Sequence, residues 1–599
     1  MDDRSVRIGC ASGFWGDTNT AAAQLVKLAT LDYLVFDYLA EVTLSIMAAA
    51  KAKDSALGYA TDFVDSVMQP LLPQLASKGI KVISNAGGVN PQACRDRLVA
   101  AITAAGLDLK VAVVTGDDLL PQLAQLRAAD VAEMTTGAPI PAKPLTVNAY
   151  LGATPIAAAL AAGADIVITG RVVDSAIVLG PLLHEFKWAG NDYDKLAMGS
   201  LAGHIVECGA QCCGGNFTDW QTVSGFDQVG FPIVEVASDA SFVVTKPAGT
   251  GGLVSVATVA EQIVYEVGDP QSYLLPDVIC DFSQVQLQQV GEHRVAVSGA
   301  RGRAPTGSYK ASLTWQDGYR LTAVFVLTGM AAQAKAQMVA DNLLSKAKRL
   351  LAQKQLPPFG ETSIELLGTE ATYGPHARQA DYREVVVKLA VTHPMKPALQ
   401  FFAGEIAQAA TGMAPGLISL LGGRPKPAPV IKLFSCLVPK QMVGMAVITG
   451  EHLETVTALP SSTGPMYPPI PDGPIADNSL VTCTVPLIRL ALARSGDKGD
   501  DANIGVMARD SVYLPWLRAA LTEPAVAEWF RHVLDHPQSR VERYEWPGLN
   551  ALNLVLRHAL GGGGMASLRT DAQGKAFAQQ LLEFPVAIPA DLLKDAPCQ

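Results

Sequence analysis

The chain has little charge for its size. Of its 599 residues, 17% are Asp, Glu, Lys or Arg, against about 25% in a typical soluble protein. Sparse charge fits either a large Ala-rich core or surface covered by other subunits, and a homo-oligomer is the expectation from the second. The charge present is acidic, net −10 and without a basic run. Nucleic acid is therefore excluded as the main partner, because phosphate binding needs clustered Lys and Arg. Cysteine is scarce and unpatterned: nine residues, an odd number, with no CxxC pair. A disulfide framework is not expected, and the reducing cytoplasm is the expected compartment. The opening MDDRSVRIGC has no apolar signal region. The longest uncharged stretch worth testing as a membrane span, residues 144–164, is broken by Pro, Thr, Asn and Gly. It reads as a buried strand, turn and helix, so no membrane partner is expected.

What is present is a rhythm. VRIGC, YLVFD, KVISN, LKVAVVTG, LTVNAYLG and ADIVITG are short Val/Ile-rich runs separated by helical patterns. That alternation predicts βαβ units around a parallel sheet with flanking helices, an α/β fold with ligands beyond the carboxyl ends of the strands. The length exceeds one core and predicts two to four domains. From about Phe231 the texture turns strand-like, and between Ile279 and Leu327 it suggests antiparallel strands, so the first domain, 1–458, is open to subdivision near 230–330. Residues 459–479, rich in Pro, Gly and Ser, read as a linker. Residues 480–599 read as a small α+β sandwich, in which ANIGVMAR is assigned to a helix.

Several loops carry residues suited to chemistry. CASGFWGDTNTAA follows the first strand; Gly13 and Gly16 permit a tight turn, and Asp17, Thr18 or Asn19 can cap a helix whose N-terminus would receive an anion. Asp37 ends the second strand, with Glu41 four residues on, placed for acid–base work or simply as a cap. Asn85 and Gly88 end the third strand. GRVVDSA places Arg171, a bidentate clamp for a carboxylate or phosphate, one turn from Asp174; an Arg–Asp pair closing the loop is the alternative. In HIVECGAQCCGG, a helix over 199–211 puts His204, Glu207, Cys208 and Gln211 on one face. A Cys208 nucleophile, a zinc site using His204, Cys208 and Cys212 or Cys213, and plain buried cysteines all fit this stretch. Glu207 is independently an acid–base candidate. KPAGTGG gathers Lys246, Gly249, Thr250 and Gly251 before a helix, a cradle for a pyrophosphate such as that of coenzyme A, or a structural turn. RSGDKGDDANIG brings Arg494, Ser495, Lys498 and Asn503 together to grip an anion, with Asp497, Asp500, Asp501 and Asn503 as an alternative set for a hard cation and a self-satisfied polar turn as the plain reading. No metal site is assigned and no tightly bound cofactor is expected.

The segments VRIGCASGFWGDTNTA, ISNAGGVNP, ADIVITGRVVDSA, ECGAQCCGGNFTDW, KPAGTGGLVS and GRPKPAPVIKLFSCLVPK resemble the acyclic terpene utilisation family AtuA. RSGDKGDDANIG resembles that family's separate C-terminal module, which implies a ferredoxin-like sandwich. The resemblance covers nearly the whole chain. It implies a place in the catabolism of acyclic terpenoids such as citronellol and geraniol, beside acyl-CoA carboxylases, hydratases and dehydrogenases. Cys212 and Cys213 depart from the family pattern, which has a small or hydroxylated pair there; Glu207 and Cys208 match it. The expectation is an enzyme of hydratase or lyase type acting on an acyl-CoA or small organic acid. In it, Asp37, Glu41, Asp174 and Glu207 move protons, Arg171 holds the acyl carboxylate or thioester, and coenzyme A enters as part of the substrate. A non-catalytic partner of an acyl-CoA carboxylase and a metal-dependent hydrolase or lyase are the alternatives.

Overall fold

A computed structural model describes residues 4–461, 468–477, 479 and 481–593. Five parallel strands form its centre, in the spatial order Ser5–Cys10, Tyr33–Phe36, Lys81–Ser84, Ile166–Thr169 and Val111–Thr115. YLVF and IVIT are buried at every position, as expected of strands covered by helices on both faces. The connecting helices obey local signals. Pro91 opens Pro91–Ala104, and Gly79, at φ 66°, closes Gln69–Lys78 in the left-handed conformation. Antiparallel strands extend the sheet on both sides, Ile233–Ala237, Phe242–Thr245, Arg294–Ser298 and Gln286–Gly291 beyond the first strand, and Met445–Thr449 and His452–Val456 beyond the last. The sheet is open, with eleven strands.

A second, antiparallel sheet is organised by one 21-residue strand, Ser308–Thr328. Its first half pairs with Ala428–Pro439 and its second half with Glu384–His393. The helices Ala332–Gln353 and Lys396–Ile406 cover this second half with Leu343, Leu399 and Phe402. The strand Thr146–Ala149 also pairs antiparallel with Ser308–Thr328. Sequence rhythm placed it in the parallel sheet; its short VNA core suits either partner, and only long-range pairing decided. Residues 144–164 are a strand and the helix Thr154–Ala161. No helix among the described residues is long and apolar enough to cross a membrane.

The C-terminal domain has a four-stranded antiparallel sheet, ordered Ala491–Lys498, Asp501–Ala508, Ala551–Arg557 and Arg540–Trp546, with helices such as Leu514–Ala520 and Phe577–Leu581 against one face. ANIGVMAR is therefore a strand, not a helix. Ala502, Ile504 and Val506 enter this domain's core, while Met507 and Gly505 pack on the first domain, Gly505 so closely that a Cβ there would meet Val264. A strand buried on both faces loses the alternation that distinguishes it from a buried helix. The described part of the expected linker lies against the body: Ile470 N donates to Gln271 at 3.1 Å and Gly473 abuts the Arg518 guanidinium. Its remaining residues, 462–467 and 478, lie outside the described residues, as does Cys598. The eight described cysteines are free thiols.

Candidate active site

The carboxyl ends of the parallel strands meet the start of Ser308–Thr328 and the 498–501 turn of the C-terminal domain. Asp37, buried just past the second strand, receives the Asn85 side-chain amide at 2.7 Å, and Asn85 in turn accepts Tyr38 N at 2.7 Å. Burial pushes the Asp37 carboxyl well above its ordinary proton affinity, and the nearby Asp174 and Glu207 charges push it further than Arg171 pulls it back. Glu207 caps the end of the helix Tyr193–Val206 and lies 3.1 Å from His204 Nδ1. His204 Nε2 faces the Ile263 carbonyl at 3.2 Å. A carbonyl only accepts, so Nε2 carries a hydrogen, and His204 Nδ1 and Glu207 hold a proton between them. Burial raises Glu207 more than His204 lowers it.

Glu41 behaves oppositely. Burial opposes its ionisation, but Lys310, Arg171 and the Tyr150 hydroxyl overcome that and bring it down to about 2. The Arg171 guanidinium stacks 4.2 Å from the Tyr150 ring centroid, and one of its nitrogens reaches the Leu39 and Val172 carbonyls and, at 2.6 Å, Asp174. Arg171 is thus buried and anchored; it lends positive potential and fixes Asp174 rather than standing free as a clamp. Lys498 reaches across from the C-terminal domain to Glu266 at 3.1 Å. Burial disfavours its ammonium, but Glu266, Tyr273, Asp174 and Glu207 outweigh that and hold it charged.

These groups act on one another electrostatically and form a single polar cluster around a partly open cavity at the strand ends. Lys498 keeps half its side-chain surface open, and Lys310, Glu41, Asp174, Tyr273 and Cys208 are also incompletely covered. Desolvation nevertheless acts strongly on Lys310, Lys498, Glu41, Tyr273 and Cys208. A hollow of about 400 Å³, lined by Glu235, Phe242, Gln286 and Val297, lies along the antiparallel extension of the first sheet. Glu235 is its one titratable lining side chain, whereas titratable groups converge at the strand ends.

The remaining candidates fall elsewhere. Cys208 lies beside the cavity, but burial, Glu207 and Glu266 raise its thiol well above the ordinary value, the reverse of what a thiolate nucleophile needs. No group of three His, Cys, Asp or Glu side chains among the described residues is placed to hold a metal. Asp17 accepts Gly13 N at 2.9 Å instead of capping the helix Ala21–Leu28, whose N-cap is Thr20 without a side-chain bond. Asn19 is exposed, and Gly16 has open space around its α-carbon. Gly13 packs on Cys208, where a Cβ would lie 2.7 Å from the backbone. Gly88, at φ 56°, packs on Met47 rather than on a ligand.

The expected phosphate cradle is a closed turn. Lys246 Nζ donates to its own loop at Thr250 O, 2.6 Å, Gly251 N and Gly252 N donate to Gln228 and Ser224 carbonyls, and Gly249 only provides the positive-φ bend. In the C-terminal domain, Arg494 donates to Asn216 O, Ser495 to Gly574 O, and Asn503 links Val264 O, Asn553 and Glu266 N. Arg494 and Asn503 join the domains, Ser495 ties its own domain together, and Lys498 is the one of the four that reaches the strand-end cluster. The alternative cation set is divided as well: Asp497 takes Lys575, Asp500 takes His558 and Gly562 N, and Asp501 takes Arg557. Sequence reasoning missed Tyr150, Glu266, Tyr273 and Lys310. Tyr150 directly follows a strand, and Lys310 is a lone cation within SYKASLTW; both signals were readable, but the strand pairing that joins them was not.

The family model described as "Acyclic terpene utilisation family protein AtuA" matches residues 6–449, and the model "AtuA ferredoxin-like domain" matches 485–587. No curated protein and no solved structure matches the chain.

Proposed function

The chain belongs to the acyclic terpene utilisation family AtuA, and from that premise we propose that it is an enzyme acting on a branched organic acid or its coenzyme A thioester by hydratase- or lyase-type acid–base chemistry. The observation that supports this reading is the pair of carboxyls, Asp37 and Glu207, whose proton affinity is raised by burial beside Asp174. A carboxyl of raised proton affinity, in its protonated form, donates to a leaving or carbonyl oxygen, and its conjugate base takes a proton back. His204 holds the Glu207 carboxyl in place at 3.1 Å, and Lys498 and Arg171 favour an anionic carboxylate or developing enolate. The self-closed loop at 246–252 gives no grip on a pyrophosphate, so recognition centres on the acyl end.

Thermal-shift measurement of the full chain against branched acyl-CoAs, their free acids and coenzyme A tests this. A ligand at a hundredfold excess over Kd stabilises by about 2.7 kcal/mol. A shift with acids or thioesters that is lost in Glu207→Gln supports the reading. No shift with any of them favours a non-catalytic partner of a pathway enzyme such as an acyl-CoA carboxylase, which pull-down would detect.

A further inference from the structure

Lys310 differs from the other cations of the cavity. Arg171, Lys498 and Lys575 are each tied to a carboxylate within 3.1 Å. The Lys310 ammonium makes no hydrogen bond or ion pair among the described residues; it stands 5.1 Å from the centroid of the Tyr150 ring. Its side chain is largely open to the cavity, while its backbone is fixed: Lys310 O accepts Tyr150 N at 2.9 Å, and the residue pairs with Leu437 in the long strand. Two residues along, Ser312 holds the Tyr150 hydroxyl at 2.8 Å, and that hydroxyl also binds Glu41. An unshared amine on a rigid strand, beside a phenol–carboxylate relay and within reach of the Asp174, Arg171 and Lys498 charges, is an arrangement that carbonyl chemistry uses.

We propose that Lys310 is a nucleophilic amine that forms a Schiff base with the ketone or aldehyde carbonyl of a small oxo acid. The Lys310 Nζ lone pair adds to the carbonyl carbon. The carbonyl oxygen takes up a proton from a neutral carboxyl of the cavity, with Asp37 and Glu207 the candidates. The oxygen leaves as water when protonated again, one of these protons coming from the nitrogen. In sum, amine, carbonyl and one proton give an iminium ion and water, and no oxidant or reductant is consumed. The iminium then accepts the electron pair of an adjacent carbon–carbon bond, as in retro-aldol cleavage or loss of carbon dioxide from a 3-oxo acid. Lys498 would face the substrate carboxylate. The surroundings favour a free amine: burial, Lys498 and Arg171 all lower the Lys310 proton affinity, and Glu41 and Asp174 only partly restore it. The inference rests on the cavity being a small-acid site, but on neither coenzyme A nor a hydratase step.

The test is reductive trapping. The full chain is incubated with acetoacetate or levulinate and cyanoborohydride, then digested for peptide mass spectrometry, with thermal shift recorded for the same probes. The expected result is a near-stoichiometric adduct on the peptide containing Lys310, absent in Lys310→Arg, which keeps the charge and the stacking on Tyr150. Adducts spread over surface lysines and unchanged in Lys310→Arg overturn the proposal. If the probes stabilise the protein but no Lys310 adduct forms, the site reading stands and Lys310 is only a counter-charge. If they neither stabilise nor label, both readings fall.

Discussion

The cavity loops and the glycine loop at 246–252 look alike as strings of residues. Each has a cation, small residues and a helix boundary close by. In the glycine loop Lys246 bonds its own turn and the amides meet neighbouring carbonyls. In the cavity, polar groups from separate elements come together, and burial raises Asp37 and Glu207 while lowering Lys310. The difference teaches that a site is made by groups left over after the backbone is satisfied, not by the density of polar residues.

The largest effects should fall on the cavity side of this comparison. Asp37→Asn and Glu207→Gln should each lower turnover of any substrate found by the ligand panel by about 10²–10⁴-fold, the usual contribution of a general acid or base, with circular dichroism unchanged. A fall below tenfold would place the carboxyl outside the chemistry. Gly251→Ala should leave turnover per folded molecule intact but cost about 2–3 kcal/mol of stability in urea unfolding, since its Cβ would run into the Gly225 carbonyl. Loss of coenzyme A affinity in that variant, without loss of stability, would restore the phosphate-cradle reading.

Glu261 sharpens the contrast through pH. It is buried under the domain junction, accepts Thr218 N, and burial raises its carboxyl to about 7. The folded state therefore binds the proton more tightly than the unfolded state, whose value is near 4.5. Stability from this group is present below about pH 4.5 and declines as pH rises towards 7. Glu261→Gln keeps the acceptor and should flatten that decline in urea midpoints measured across the range; an unchanged slope would assign the dependence to other groups. The smallest effect is expected at Arg509, which bridges the domains to Asp219 in a two-pronged pair at 2.6 Å but is partly exposed. Arg509→Ala should cost about 1 kcal/mol or less, and a larger loss would make this pair, rather than Asn503, the main latch between the domains.

Much of the candidate site was legible as positions. Asp37, Arg171, Asp174 and Glu207 could be picked out because strand ends in a parallel sheet point to one side. Lys498 was legible as an anion-binding cation of the C-terminal unit, though its reach to Glu266 was not. Arg494, Ser495 and Asn503 were misread because a sequence shows donors but not the carbonyls that already hold them.

The sequence by itself determined the α/β alternation and the family, because these depend on local periodicity and on motifs contiguous in the chain. Only the tertiary structure decided that Thr146–Ala149 joins the antiparallel sheet, that ANIGVMAR is a strand, and that Tyr150 and Lys310 come together with Glu41 and Arg171. Those outcomes turn on pairings between residues far apart in the chain, where burial on both faces erases the pattern and hydrogen-bond satisfaction is settled by neighbours the local sequence does not contain.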